Sequence, residues 1–210
     1  QLNAAWSDVA RRLAHEIKNP LTPIQLSAER LQFKLHNKLD DTEQTLLRRM
    51  TQTIIDQVST MQKLVQAFSD YANTPEVELV PIQLNSLITN ITEMYQDPKA
   101  AWKVSKSLDK DCKKVMADGS RLRQLLHNLV KNALEATEAT ENPHIRIKTT
   151  CEEPEWLTLS VCDNGPGIEE EAQNWIFEPY ATDKPKGTGL GLAVVKKIVE
   201  EHYGDISLES

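Results

Sequence analysis

The stretch RLRQLLHNLVKNALEA, residues 121–136, carries two chemistries on one cylinder. At 100° per residue, Leu122, Leu125, Leu126, Leu129, Ala133 and Ala136 fall on one side, as the buried stripe of a helix requires. Gln124, Asn128, Asn132 and Glu135 share the opposite side at spacings of four, four and three. Asparagine is a mediocre helix former, so two of them a turn apart suggest a row of amides and a carboxylate facing a ligand. Asn132 could offer an oxygen to a hard cation such as magnesium. Taken alone, the same pattern also describes a solvated polar face.

Working outward, Asp118 can cap this helix, which is predicted to run to about Ala139. Strands are predicted at 102–108, 114–117, 144–150 and 156–162, the last two alternating like strands with one buried face. A helix capped by Asn85 is expected to reach about Tyr95, another to span 190–202, and a strand to follow at 205–209. Interleaved in this way, the elements suggest helices layered on a sheet. Directly after the strand at 156–162 comes DNGPG, 163–167. A carboxylate there can accept a hydrogen bond from an exocyclic amine, while glycines let backbone approach a planar ring. A bare turn would read the same. Further on, GTGLGL at 187–192 opens a helix. Its third glycine comes one residue too early for a dinucleotide fingerprint and no strand precedes it, and it lacks the Gly-Lys-Ser or Gly-Lys-Thr of a Walker loop. Glycines at a helix N-terminus still offer free N–H groups and a positive dipole end to phosphates, with Lys184 and Lys186 adding charge.

Upstream, residues 1–72 contain no glycine and read as two helices. In the first, Trp6, Val9, Ala10, Leu13, Ile17, Ile24, Leu31 and Leu35 form a stripe expected to face a core. In the second, Leu47, Met50, Ile54, Gln57, Met61, Leu64 and Phe68 form a heptad seam. Asp40 with Glu43 resembles a capping box between them. Two such helices share too little core, so a homodimeric four-helix bundle is expected. A short linker is predicted around 73–81, where prolines break the pattern.

The first helix contains HEIKNPLTP, 15–23. His15 is two residues from each of Leu13 and Ile17, about 160° around the helix, and so points outward. Asn19 lies on the same face one turn along, and Glu16 is the next residue around, close enough to orient the ring or accept its proton. Neutral imidazole is nucleophilic and can take a phosphoryl group. An exposed His-Glu pair is also ordinary surface, but Pro20 and Pro23 free the carbonyls of Glu16 and Asn19 and so allow a bend just beyond the histidine.

Composition narrows the function. Of 210 residues, 40% are hydrophobic and 26% charged, an ordinary globular balance. Net charge is −7, and the 24 basic residues are scattered rather than gathered, which argues against nucleic acid as a direct partner. No apolar run reaches the roughly 18 to 20 residues that span a bilayer, and no signal peptide is evident. Cys112, Cys151 and Cys162 are odd in number and lack C-x-x-C spacing. They are expected to be buried small hydrophobes in a reducing compartment rather than metal ligands or a disulfide.

In order, HEIKNPLTP, NLVKNALEA, DNGPG, FEPY at 177–180 and GTGLGL resemble, box by box, the H, N, G1, F and G2 motifs of bacterial sensor histidine kinases. HEIKNPLTPIQLSAERL and FEPYATDKPKGTGLGLAVVKKIVEEH are most similar to the nitrogen-regulation branch. The resemblance covers nearly the whole chain. It implies an α + α/β fold: a hairpin, 1–72, forming a dimeric four-helix bundle, a linker, 73–81, and a Bergerat-type (GHKL) ATP-binding sandwich, 82–210, lacking its last strand. His15 would accept the phosphoryl group, with Glu16 as general base and Asn19 positioning water for dephosphorylation of the partner. Asn132 would bind magnesium with Asn128 beside it. Asp163 would read the adenine amine, with Gly165 and Gly167 shaping that wall. Residues 177–186, from Phe177 through Lys184 and Lys186, would form a lid over ATP. Gly187, Gly189 and Gly191 would let it close over the phosphates, with Thr188 and Leu190 also among the ATP-binding residues. The partner would be a response regulator receiver domain, and the chain would be the cytoplasmic portion of an inner-membrane sensor. One departure stands out: Glu135 occupies a position where many members have a phosphate-binding lysine, leaving Lys131, Lys184 or Lys186 to neutralise phosphate. The alternatives are an ATP-gated interaction module that uses the hairpin only to dimerise, and a member acting chiefly as its partner's phosphatase.

Overall fold

The structure, a computed structural model, describes residues 2–72, 77–97, 99–112, 114–152, 156–182 and 187–210, without the side chains of 2–8, 11, 71 and 152. The chain divides into two compact units, the first comprising residues 1–75 and 183–188 and the second 76–182 and 189–210.

The first unit is a hairpin of two long helices, α1 (Leu2–Leu35) and α2 (Asp41–Ala72), joined through a short 3-10 turn at His36–Lys38. The capping box forms in both directions: the Glu43 N–H donates to the Asp40 carboxylate at 2.9 Å, and the Asp40 N–H to the Glu43 carboxylate at 3.2 Å. Of the fully buried seam residues, the expected stripes contained only Ala10. Ala10, Ala14, Leu21 and Ala28 on α1 are buried with Thr51, Val58 and Ala72 on α2. These positions recur at heptad spacing, and the alanines let the two backbones approach closely. Val9, Leu13, Ile24 and Leu31, and likewise Met50, Ile54, Met61 and Leu64, remain exposed. One partner helix covers only a narrow stripe, and helices with apolar residues over a wider arc keep a second apolar face uncovered.

Helix α1 runs without interruption through Pro20 and Pro23. Lys18 of α1 donates a hydrogen bond from its ammonium to the Gln66 side-chain carbonyl of α2.

In the second unit a three-stranded sheet has the order β2 (Lys103–Leu108), β4 (His144–Glu152), β5 (Trp156–Asp163). β2 and β4 are parallel, with Val104 opposite Ile145; β4 and β5 are antiparallel, with Ile145 opposite Asp163. A two-stranded sheet pairs β1 (Val80–Ile82) with β3 (Val115–Ala117). The stretch expected as linker up to Pro81 therefore ends in a strand. Proline is tolerated there because a two-stranded ribbon leaves one edge of each strand free of ladder bonds.

Helices α3 (Leu84–Met94), α4 (Gly119–Ala136) and α6 (Gly191–Glu201) supply the other layer, and α5 (Glu170–Gln173) is a single turn. Ile88 and Ile91 of α3, Leu126 and Val130 of α4, Ile145 and Ile147 of β4, and Val195 and Ile198 of α6 form the core.

Several sequence expectations shift. Asn85 does not cap α3, whose N-cap is Gln83. Its amide instead donates to the Asp109 carbonyl at 2.7 Å and accepts from the Thr149 hydroxyl at 3.1 Å, which ties α3 to the sheet. Helix α4 ends at Ala136 rather than 139, with Thr137 as its C-cap at φ −96° and ψ 4° and the Thr137 N–H shared between the Ala133 and Leu134 carbonyls. Residues 205–209 form no strand among the described residues, because no ladder partner takes up their backbone groups. Cys112 and Cys151 are joined as a disulfide with their Cα atoms 5.5 Å apart, and Cys162 is exposed. The three cysteines are thus not simple core residues: parallel pairing of β2 with β4 brings the loop after β2 to the far end of β4, a proximity that sequence spacing does not reveal.

Candidate functional site

The N-terminus of α4 is fastened first. The Asp118 carboxylate accepts from the N–H groups of Ser120 and Arg121 and from the Ser120 hydroxyl at 2.6 Å. The serine hydroxyl bond contributes most to holding that carboxyl at about 2, below the usual range, and N–H groups of Arg121, Glu78 and Ser120 add to it against some desolvation. With α4 pinned and Leu125, Leu126, Val130 and Ala133 buried beneath it, Gln124, Asn128, Asn132 and Glu135 are all partly accessible on the other side.

Asn132 and Asn128 face the start of α6. A Cβ placed on Gly191 would stand 3.5 Å from both polar atoms of the Asn132 amide and 3.9 Å from the Asn128 carbonyl oxygen. The GTGLGL stretch therefore brings a helix N-terminus against the two amides. The first N–H groups of such a helix have no intrahelical acceptor and carry partial positive charge. Hard amide oxygens beside a helix N-terminus fit a magnesium–phosphate pair, which needs oxygen ligands for the metal and donors for the anion.

The DNGPG loop meets the other end of α4. Asp163 closes β5, and its carboxylate accepts from the Gly165 N–H at 2.8 Å. A Cβ on Gly165 would lie 3.1 Å from the Ala136 carbonyl oxygen, so only glycine lets this loop rest on the end of α4. Asn164 holds the loop from the other side. Its side-chain oxygen accepts from the His144 N–H at 2.7 Å and its NH2 donates to the Asn142 carbonyl at 3.1 Å. Gly167 sits at a φ of +80°, and the neighbouring Ile168 N–H donates to the Ser210 hydroxyl at 2.6 Å.

Phe177 is half-buried in the turn after α5, and Glu178 beside it lies 3.4 Å from the Lys196 ammonium on α6. Gly189, at a φ of +65°, backs directly onto Tyr180, itself at +67°. Gly187 and Thr188 are half-buried, and Leu190 is fully buried and starts α6. Lys184 and Lys186 lie outside the described residues. Lys131 is 3.9 Å from Glu135, an exposed pair worth little by itself.

In the first unit His15, Glu16 and Asn19 are all exposed, while Ala14 is 3% exposed in the seam. Three contributions had no sequence signal strong enough to find them: the Glu178–Lys196 pair, the left-handed Tyr180 opposite Gly189, and the anchoring amide of Asn164 inside a motif that reads as a turn.

A hairpin with an exposed imidazole, together with an α/β unit in which two amides meet a glycine-rich helix start, has the parts of a phosphoacceptor module joined in sequence to an ATPase-type module. Family comparison agrees on both parts. Residues 5–75 match the His Kinase A (phospho-acceptor) domain, and residues 117–210 match the histidine kinase-, DNA gyrase B- and HSP90-like ATPase domain. The nitrogen regulation protein NtrY of Azorhizobium caulinodans is 39% identical over 218 residues, covering 99% of this chain and 27% of the relative. The catalytic domain of histidine kinase ThkA is 36% identical, with a TM-score of 0.53, covering 60% of this chain and 82% of that one. The histidine kinase ThkA in complex with response regulator protein TrrA is 31% identical, with a TM-score of 0.63, covering 94% of this chain and 55% of that one. The chain belongs to the sensor histidine kinases and is similar to their nitrogen-regulation branch. It spans about a quarter to a third of the length of the curated relatives it matches first. No described helix is long and apolar enough to cross a membrane.

Proposed function

We propose that this chain is the ATP-dependent core of a two-component sensor, which phosphorylates itself on His15 and passes the phosphoryl group to an aspartate of a response regulator. The observation that carries this reading is the convergence of Asn128, Asn132 and Gly191 at the start of α6, in a chain that also exposes His15 beside Glu16. Asp163 hydrogen-bonds the exocyclic amine of adenine, against a wall shaped by Gly165 and Gly167. The glycines of 187–191 bring N–H groups to the phosphates, Phe177 covers them, and Lys184 and Lys186 add positive charge. Magnesium, when bound at Asn132, supplies neutralisation of phosphate charge.

At the acceptor, a ring nitrogen of His15 attacks the terminal phosphorus, Glu16 takes the proton from the other ring nitrogen, and the bond from phosphorus to the bridging oxygen of ADP breaks. Asn19, on the same face one turn along, positions the water that hydrolyses the phosphorylated partner, so the same helix also serves a phosphatase reaction. The functional unit is a homodimer with a hairpin over 1–72, a connection over 73–81 and an ATP-binding domain over 82–210. The whole protein is attached to the inner membrane through segments outside this chain, with this portion in the cytoplasm.

The test is incubation with magnesium and terminally labelled ATP, beside a His15→Gln variant. Acid-labile, alkali-stable label on the parent chain and none on the variant is the expected result. Label that persists in the variant removes His15 as acceptor; nucleotide binding without any label favours the phosphatase reading.

A further inference from the structure

The end of the sheet remote from Asp163 holds a cluster that the kinase reading does not use. Cys112, in the loop after β2, and Cys151, near the end of β4, are bonded with Cα atoms 5.5 Å apart, and the Asp109 carboxylate lies within 4.8 Å of both sulfurs. Two features set this pair apart from a simple staple. First, its surroundings are held in place without the sulfur bond. Asp109 accepts from the Cys151 N–H at 3.2 Å and the Asp111 N–H at 3.0 Å. Its own N–H donates to Thr149 at 3.1 Å and its carbonyl accepts from Asn85 at 2.7 Å. Thr149 is 2% exposed. These bonds tie the loop to α3 and β4 independently of the sulfur–sulfur bond. Second, the two residues differ in exposure: Cys112 is buried and Cys151 half-buried, which makes Cys151 the residue more open to an incoming small thiol or disulfide.

We propose that Cys112 and Cys151 form a reversible thiol–disulfide site in the ATP-binding unit, exchanging with a low-molecular-weight disulfide of the glutathione type. In closing, the Cys151 thiolate attacks one sulfur of the small disulfide and expels a thiolate, leaving a mixed disulfide on Cys151. The Cys112 thiolate then attacks the Cys151 sulfur and expels the second small thiolate. The two protons lost by the cysteines end on the two small thiols, and the two electrons reduce the small disulfide. Cys162 cannot replace either partner: it lies opposite Arg146 on β4, five rungs from Cys151 and roughly 16 Å along the strand.

The experiment equilibrates the 210-residue chain in buffers of reduced and oxidised glutathione, blocks free thiols, and maps the peptides by mass. The expected result is a single two-electron transition within the glutathione range, in which Cys112 and Cys151 lose their thiols together while Cys162 stays modifiable. The oxidised form should melt roughly 10 °C higher than the reduced one. A Cys112→Ser/Cys151→Ser variant should melt at the same temperature in both buffers. Asp109→Ala, which removes the acceptor for the Cys151 N–H, should move the balance toward the dithiol. A cross-link that glutathione never opens, thiols that never close, a mixed disulfide confined to Cys162, or dithiols that take up stoichiometric zinc and thereby resist oxidation would each overturn the proposal.

Discussion

Gly189 is the residue at which the site tolerates least change. Its φ of +65° lies where a side chain is strained, and a Cβ there would fall 2.7 Å from the Tyr180 Cα and 2.8 Å from the Ala181 nitrogen. Gly189→Ala should therefore push the 180–181 backbone away from the start of α6. The expected outcome is a loss of nucleotide affinity of roughly tenfold or more, with helix content by circular dichroism retained; unchanged affinity would show that the close approach is not needed for binding. Asp118 makes a different prediction. Its folded value of about 2 lies below the unfolded one of about 3.9. The stabilisation is thus fully present above pH 4 and fades as pH falls toward 2. Asp118→Ala should cost about 1 kcal/mol at pH 7, the ordinary value of an N-cap. In urea titrations the gap between parent and variant should narrow from pH 4 to pH 2.5. A constant gap would mean that the cap works through shape rather than charge.

At the scale of elements, the order and type of nearly every helix and strand were legible, because period-3.6 and period-2 patterns are local. Asp118 as a cap and the Asp40–Glu43 box were legible for the same reason: each is a spacing along the chain. What was not legible required knowing neighbours. Asn85 has the chemistry of a cap, but the sheet lies within reach of its amide and wins it. Cys112 and Cys151 meet only because β2 and β4 are parallel. In the hairpin, the large residues marked a stripe, whereas the seam is lined with alanines, whose small size carries little periodic signal. Asn128, Asn132 and Gly191, which the structure brings together, stood out in the sequence because amides and glycines cluster in short motifs. Their convergence around α4, the Asn164 anchor and the left-handed Tyr180 needed the tertiary arrangement. The prolines of α1 yield an element-scale prediction. Replacing Pro20 and Pro23 with alanine restores two ladder bonds and should change the ratio of kinase to phosphatase activity, each assayed separately. An unaltered ratio would exclude a role for the weakened turn in switching.

For the whole molecule, the uncovered apolar residues matter most. Met50 is 58% exposed and Leu31 50%, and Val9, Leu13, Ile24, Ile54, Met61 and Leu64 share their exposure across the two helices. Burying each against a second hairpin contributes on the order of 1 kcal/mol. Two copies of the set offset an association cost of about 4 to 15 kcal/mol. A dimer is therefore expected by light scattering at micromolar concentration, and Ile54→Glu should halve the mass without unfolding the α/β unit. A parent chain that remains monomeric at high micromolar concentration would remove the bundle.

The two missing backbone bonds in α1 also have a mechanical meaning. Leu2 lies about 27 Å up the helix axis from Pro20, and His15 about 7.5 Å. A rotation of roughly 10° about the proline step would carry the start of the helix through about 5 Å but the imidazole through only about 1.3 Å. The helix then acts as a reduction gear, which turns a coarse movement at one end into a displacement of bond-length size at the reacting nitrogen.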